Sequence, residues 1–328
     1  MEKVDDYYEK IKLVANELKP ERARIQTRMK ILITVLVFLF LVTIGVAIDQ
    51  DAYFIIWFAF FIGIILYFVF FNLLTKGYKK QYKTKVISAL VQELNENFTY
   101  DVDKHISQKV FEVSKLFSQH RVNRYKGEDF IQGKVGNSKF QCSMVKAEER
   151  RRKSTVSFGS SRKKKRNSKN WETIFEGLFY VFNIEQEFNT EIFLQPRHPD
   201  GPEGLIGAVI HKITGGNKGE VIETGNSEFD NEFKVMVRDK SKVETIYNPE
   251  IQDALLNLKR KVVEKIKIYP HISFIGSNMF MAYSSLPLLK PRIFKGEILE
   301  KDDFRECFWK IEIVNEIINI FDDSYSYE

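Results

Sequence analysis

The chain has 328 residues, 44% of them hydrophobic and 29% charged, and carries a formal net charge of +6. Cysteine is used only at Cys142 and Cys307, which excludes a disulfide framework; both are expected to be reduced and buried. The positive charge is not spread evenly: 150–169 holds ten bases and no acid, so the remainder is mildly acidic and the basic character belongs to one segment.

Residues 2–18 set Val4, Tyr7, Tyr8, Ile11, Val14 and Leu18 at helical spacing. Pro20 is expected to end or kink that helix. It reads as a short cytoplasmic helix packing on the main domain, with an amphipathic membrane-surface or self-association helix as the alternative.

Two uncharged apolar runs follow, Ile31 to Ile48 and Ala52 to Phe71, separated by Asp49, Gln50 and Asp51. At about 1.5 Å per residue they reach about 27 Å and 30 Å, the thickness of a bilayer's hydrocarbon core. Bases flank the outer ends: Arg22, Arg24, Arg28 and Lys30 before the first, and Lys76, Lys79, Lys80, Lys83 and Lys85 after the second. Lys and Arg are retained on the cytoplasmic side, so the pair reads as a multi-pass hairpin with both termini cytoplasmic and its acidic tip external. A signal peptide is the rival for the first run, but no small-residue cleavage site follows and a second run arrives at once. A soluble core hairpin would keep a polar face, and these runs have none. The second run holds ten aromatics, with Tyr53 and Trp57 near the external interface. No ionisable group lies within either run, which argues against a proton relay or ion-coupled transporter.

Beyond the hairpin, Tyr78, Tyr82, Val86, Leu90 and Leu94 continue the helical pattern to about Asn95, and a further helix is expected over 104–119. Residues 128–146 alternate around Gly136-Asn137, which predicts two strands and a turn. Further strands are expected at 171–182, 191–195, 208–213, 232–237 and 243–247. Turn chemistry lies at 198–204, 215–219 and 238–242. Asn248 is a cap, Pro249 a first helical residue and Glu250 a first-turn acid, so a helix opens there, with Ile251, Leu255, Leu258, Val262 and Ile266 facing inward. Residues 271–276 and 279–285 read as a hairpin around Ser277-Asn278, and 301–321 as a last helix burying Phe304, Phe308, Ile311, Val314 and Ile318.

Chemical motifs are weak. His105, His120, His198, His211 and His271 have no metal-ligand spacing with one another, with Cys or with acids. Gly215-Gly-Asn-Lys-Gly219 lacks the ending of a phosphate loop and reads as a turn. Glu128 and Asp129 read as turn-stabilising acids, with Arg121 or Arg124 as partners, ahead of acid–base or cation chemistry. Asn97-Phe-Thr99 matches a glycosylation site but would be inert on the cytoplasmic side. No metal site and no cofactor is expected.

The basic stretch 150–170 is the strongest signal outside the hairpin. It is Ser-rich and nearly devoid of apolar residues, so a disordered loop between two strands is expected. Arg150, Arg151, Arg152, Lys153, Arg162, Lys163, Lys164, Lys165 and Arg166 are the candidate lipid-binding residues. Near an anionic leaflet each base contributes about 1 kcal/mol. The alternatives are a solvated loop without a partner, or nucleic acid or an acidic protein; stacking aromatics, which nucleic acid favours, are nearly absent.

The order of short motifs resembles a known family. Ser114-Lys-Leu-Phe117, Tyr125-Lys-Gly-Glu-Asp129 with Gly133, and Phe175-Glu-Gly-Leu-Phe179 form one group. Glu228-Phe-Asp-Asn-Glu-Phe233 with Val235 and Asp239 forms a second. Asn248-Pro249 and the Phe274/Met279–Ala282 region form a third. Together with the hairpin, they resemble the bacterial two-span membrane family catalogued as domain of unknown function 3137, from about residue 30 onward. The family usually has Thr where this chain has Asn248, and both can cap a helix. The resemblance implies an integral membrane protein with a cytoplasmic globular part, and no activity or catalytic residue.

The chain is therefore read as an α+β protein: a cytoplasmic helix at 1–28, a transmembrane hairpin at 29–75, a helical connector at 76–120, and a cytoplasmic domain of antiparallel strands and flanking helices at 121–328. The expected function is a noncatalytic scaffold or interaction module at the bacterial inner membrane. Its partners would be the bilayer, anionic lipid headgroups and an unidentified protein. A membrane-tethered enzyme or an oligomeric pore built on the hairpin are the alternatives.

Overall fold

The computed structural model describes residues 2–152, 169–197, 218–266, 269–284 and 287–323. Two compact units divide the chain: Met1–Glu93 with Leu289–Arg305, and Leu94–Leu288 with Glu306–Glu328.

The first unit opens with α1 (Glu2–Asn16) and α2 (Lys19–Asp49). As expected, the first helix ends ahead of Pro20, at Asn16. Pro20 sits in the first turn of α2, where its missing N–H has no intrahelical partner to lose. The chain reverses through Asp51, whose φ is +51°, while the amide of Ala52 donates to the Ala47 carbonyl at 2.9 Å. Helix α3 (Phe54–Tyr82) returns alongside α2, with Phe40 and Phe60 ring centroids 6.1 Å apart. The helical path continues through a π segment (Lys83–Ile87) into α4 (Ser88–Leu94), as the apolar spacing predicts. Both apolar helices are long enough to cross a membrane, and only 6% and 0% of their apolar windows are buried within the chain. Phe38, Leu41, Phe54, Trp57, Phe61 and Ile65 face outward. Leaving that much contiguous apolar surface in water is costly, and it suggests association with a membrane.

Segment 289–305 packs against the helices of this unit through its own carbonyls. Arg22 Nε donates to the Ile293 carbonyl at 3.1 Å, Gln26 Nε2 to the same carbonyl at 2.7 Å, and the Tyr82 hydroxyl to the Ile298 carbonyl at 3.0 Å. Tyr8 lies edge-on to Phe304 at 5.5 Å, and Asp5 pairs with Lys301 and Arg305.

The second unit is built on a seven-stranded antiparallel sheet: β1 (Thr99–Asp101), β2 (Arg124–Val135), β3 (Ser138–Arg152), β4 (Lys169–Pro196), β5 (Glu220–Ile222), β6 (Phe233–Val237) and β7 (His271–Ser284). The path runs β1-β2-β3-β4-β6-β5, with β7 also paired to β4. Around it lie α5 (Gln108–Val113), α6 (Ser227–Glu232), α7 (Glu244–Tyr247), α8 (Pro249–Ile266) and α9 (Lys301–Asp323). The α+β class read from the sequence is the observed one.

Several elements differ from expectation, each for a local reason. The helix expected over 104–119 shrinks to α5. Ser107 caps its start by accepting from the Val110 amide, and Lys115, at φ +54°, turns the chain out of the helix. The two strands expected at 171–182 and 191–195 are parts of the single strand β4, which shifts register between Asn183 and Ile192. The hairpin expected around Ser277-Asn278 is instead the single strand β7. Gly276, at φ +60°, absorbs the turn signal as an irregularity while the strand keeps its direction along β4. The strand expected at 243–247 is α7. Before it, the Asp239 carboxylate accepts from the Ser241 amide and starts a helical turn at Lys240–Lys242. Of the loop expected over 150–170, the ends are strand, since Arg150, Arg151 and Arg152 pair with Trp171, Asn170 and Lys169 in the β3–β4 ladder, and 153–168 lie outside the described residues. The strand expected at 208–213 and the turn at 198–204 lie outside the described residues.

Other expectations hold. The β2–β3 turn is Gly136-Asn137, with Gly136 supplying φ +56°. Asn248 caps α8, its side chain accepting from the Glu250 amide at 2.8 Å. Phe304, Phe308, Ile311, Val314 and Ile318 of α9 are buried, and both cysteines are buried thiols.

Because strand side chains alternate, β4 buries both faces. One carries Phe175 and Phe179, which meet Phe111 and Phe117 at 4.9–6.0 Å. The other carries Tyr180, whose hydroxyl lies 2.8 Å from that of Tyr283 and donates to the Lys310 carbonyl of α9 at 2.7 Å. Burial pushes the neighbouring Cys142 thiol well above its ordinary range, so it stays protonated and inert. A close approach at Gly127 tests the β2–β3 register. A Cβ there would lie 2.4 Å from the Met144 carbonyl oxygen and 2.7 Å from His105 Cβ. Gly127→Ala is expected to lower stability by about 1–3 kcal/mol, measured as a reduced urea midpoint at unchanged slope.

Candidate ligand groove on the sheet

Near the β2–β3 turn the sheet face that carries Phe179 is no longer covered by the aromatic cluster. Strand alternation and register place two cross-strand rows there. Gln132 of β2 lies opposite Gln141 of β3, which lies opposite Val181 of β4 and, across β4, Phe280 of β7. The next row toward the turn is Lys134, Lys139, Asn183 and Asn278, in the same strand order. Helix α5 contributes Lys109, Val110 and the half-exposed Val113, and the space enclosed is about 1000 Å³.

The groove's chemistry is one-sided. Its lining contains Lys109, Lys134 and Lys139 and no Asp or Glu. Among the described residues these lysines form no ion pair, unlike Lys146, which bridges to Glu176 at 2.5 Å on the adjoining β3–β4 pair. Lys134 and Lys139 are direct cross-strand neighbours. Like charges in that relation are destabilising, by a few tenths of a kcal/mol to about 1 kcal/mol. Carboxamides fill much of the polar remainder; Asn183 Nδ2 donates over long distances, to the Ser277 hydroxyl at 3.3 Å, to its carbonyl at 3.4 Å and to Asn278 Oδ1 at 3.5 Å. Below the groove Gly133 admits the Phe98 ring, which a Cβ would approach to 2.5 Å, and Phe98 stacks edge-on against Phe140 at 4.7 Å. The floor is therefore rigid, and the charged ends stand free in solvent.

A second cavity, about 600 Å³, lies at the other end of α5. Its wall includes His120, whose Nδ1 is 3.1 Å from a Glu149 oxygen and whose buried Nε2 meets no partner among the described residues. An unsatisfied buried nitrogen costs about 1–3 kcal/mol. Lys115 pairs with Glu191 across this cavity. Behind its Phe193 wall lies Lys218, 6% exposed, its ammonium 5.6 Å from the ring. Burial pulls the Lys218 amine down to about 8.

The candidate lipid-binding residues are brought together only in part. Arg150 is exposed on β3, its amide donating to the Asn123 side chain at 2.9 Å. Arg151 and Arg152 lie on the same strand. Lys153, Arg162, Lys163, Lys164, Lys165 and Arg166 lie outside the described residues. Arg124 caps this end of the sheet, its guanidinium 3.8 Å from the centroid of the Trp171 ring. Of the acids considered above, Asp129 is buried at φ +60° in a β2 irregularity and accepts from the Tyr100 hydroxyl at 2.6 Å, a structural role; Arg124 pairs with Glu148 at 3.8 Å. Among the described residues there is no cluster of metal-ligating side chains, and His198 and His211 lie outside them. Sequence reading missed the groove. The alternation Gln132, Lys134, Lys139, Gln141 around the turn is visible in the chain, but nothing local joins it to Asn183 and Asn278.

Lys218 gives a pH signature. Its folded pKa lies below the unfolded value of 10.5, so between about 8 and 10.5 the unfolded chain binds more protons and stability rises with pH; below about 8 the cost is fully present. Lys218→Met is expected to remove that rise and to stabilise the protein near pH 7 by up to about 3 kcal/mol, read from the difference between the two melting curves at pH 7 and pH 10.

Comparison with curated proteins and with solved structures returns no match. A family model does match. Residues 173–322 match the family described as protein of unknown function (DUF3137), a stretch that takes in β4 through nearly the end of α9. The matched stretch contains Phe175–Phe179, Glu228–Phe233, Asn248-Pro249 and the β7 residues of the resemblance, whereas Ser114–Phe117, Tyr125–Asp129 and the apolar hairpin lie outside it.

Proposed function

We propose that this protein is a noncatalytic interaction module held at the inner surface of a bacterial cytoplasmic membrane by the α2–α3 hairpin, with both termini in the cytoplasm. The observation that carries the reading is the pair of uncharged helices, whose side chains face outward along their length. Lipid replaces water around such surfaces, and the bases that flank their outer ends favour the cytoplasmic side. The sheet unit supplies the recognition half, because its groove offers unpaired cations and carboxamides over an apolar floor. In this reading the polybasic stretch Arg150–Arg166 adds electrostatic attachment to anionic lipid headgroups.

Two measurements test the parts separately. A phosphatase reporter fused after Glu328 should be inactive and a fluorescent reporter at the same place bright, with the chain pelleting in membranes without detergent; an active phosphatase fusion reverses the orientation. Replacing Arg162, Lys163, Lys164, Lys165 and Arg166 by Gln in the full chain, held in zwitterionic nanodiscs, should weaken capture by anionic vesicles by more than tenfold at low salt. Equal capture of parent and variant removes the lipid role of the segment.

A further inference from the structure

We infer that the groove on the sheet is a binding site for a small phosphorylated polyhydroxyl compound, a sugar phosphate or the sugar-phosphate part of a nucleotide. This rests on the reading of the sheet unit as the recognition half of the protein, and names what it recognises.

Charge identifies the first half of the ligand. Lys134 and Lys139 face each other directly across the β2–β3 ladder, and Lys109 borders the same space from α5. No acid lines the groove, and none of the three is ion-paired among the described residues. Several other lysines of this unit do have acidic partners: Lys146 with Glu176, Lys240 with Glu220, Lys259 with Glu232 and Lys261 with Glu316. An opposed lysine pair repels itself until an oxyanion sits between the two ammonium groups, so bound phosphate removes a cost that the empty site carries. Lysine binds such a group as a point charge, which suits a phosphate that approaches from open solvent.

The neighbouring side chains identify the second half. Asn183 and Asn278 complete the lysine row, and Gln132 and Gln141 lie in the adjoining row. A carboxamide offers both a donor and an acceptor, which is the pairing that a sugar hydroxyl satisfies. Val181, partly buried beside the buried Phe280 at the end of the second row, gives an apolar surface for the C–H face of a ring. Size points the same way. A space of about 1000 Å³ is at the upper end of small-molecule sites, and the polar rows span four strands, about 14 Å at the usual strand spacing. An extended acidic peptide would need charge complementarity beyond these rows.

The test uses the full chain in detergent micelles with titration calorimetry. Glucose 6-phosphate and ribose 5-phosphate are the probes, with glucose, inorganic phosphate and a hexaglutamate peptide as comparisons. The expected result is saturable, salt-sensitive binding of at least one sugar phosphate, at least tenfold tighter than glucose and than inorganic phosphate. The Lys134→Gln/Lys139→Gln double variant should lose at least tenfold. Lys134→Glu places an acid opposite Lys139; it should abolish phosphate binding while the melting temperature without ligand stays equal or rises, which separates loss of the site from loss of the fold. The inference is overturned if neither sugar phosphate binds the parent, if inorganic phosphate binds as tightly, if hexaglutamate binds more tightly, or if the double variant binds like the parent. Membrane fractionation and reporter orientation are independent of these titrations, so failure of the groove leaves the anchored module standing, and failure of the anchor leaves the groove measurement intact.

Discussion

Strand β4 is hydrogen-bonded along both edges, and the second unit follows from that constraint. Its first half pairs with β3 and its last residues with β6, while β7 runs along the opposite edge. A strand so enclosed has no polar edge to offer water, and other elements cover most of both its faces. Its composition matches, with Phe175, Phe179 and Phe193 packed among the residues of one cluster and Tyr180 and Phe182 on the opposite side. The two faces are closed by different means. One is sealed by rings from α5 and the turn after it, a dry contact. The other carries the hydroxyls of Tyr180 and Tyr283, which α9 satisfies with a main-chain carbonyl. Both hydroxyls are deeply buried, and burial holds them far above the ordinary tyrosine range, so they remain neutral donors.

The groove exists because the first of these covers stops short. Helix α5 is a turn and a half long, ended by the left-handed backbone at Lys115, and the aromatic cluster extends no further than Phe280 and Val181. Beyond it the same sheet face turns polar within one residue pair on each strand. The surface therefore combines a stiff floor, fixed by four paired strands and by Phe98 wedged under Gly133, with cationic ends that nothing in the described chain neutralises. That combination differs from an ordinary solvated face, where opposite charges interleave.

The first unit obeys a different rule. Its two long helices bury little of their apolar lengths within the chain, and its cohesion comes from beyond the apolar runs. There Arg22, Gln26 and Tyr82 donate to carbonyls of segment 289–305, an irregular stretch whose backbone groups need partners. A distant part of the sequence is thus tied to the base of the helices by hydrogen bonds between side chains and main chain, with Tyr8 packed on Phe304 and Asp5 bridging to Lys301 and Arg305.

What the sequence determines by itself is whatever is set by near neighbours. Uncharged runs place the apolar stretches of the two long helices, which extend beyond them to Lys19 and Tyr82. Asn248-Pro249-Glu250 gives the start of α8, Gly136-Asn137 the β2–β3 turn, and 3.6-residue spacing the buried face of α9. Each depends on contacts within a few residues or on transfer from water, and both are local. Where two local signals compete, pairing decides. Gly276-Ser-Asn278 is turn chemistry, yet β7 runs straight through it because β4 supplies hydrogen bonds on both sides of the irregularity. Residues 243–247 alternate like a strand, yet 244–247 form a helical turn directly after the Asp239-capped turn at 240–242. The groove is the extreme case: Lys134 meets Lys139 through a tight turn, but Asn183 and Asn278 join them from far along the chain. Only the register of four strands decides that these side chains share one face, because a shift of a single residue would send every one of them to the other side.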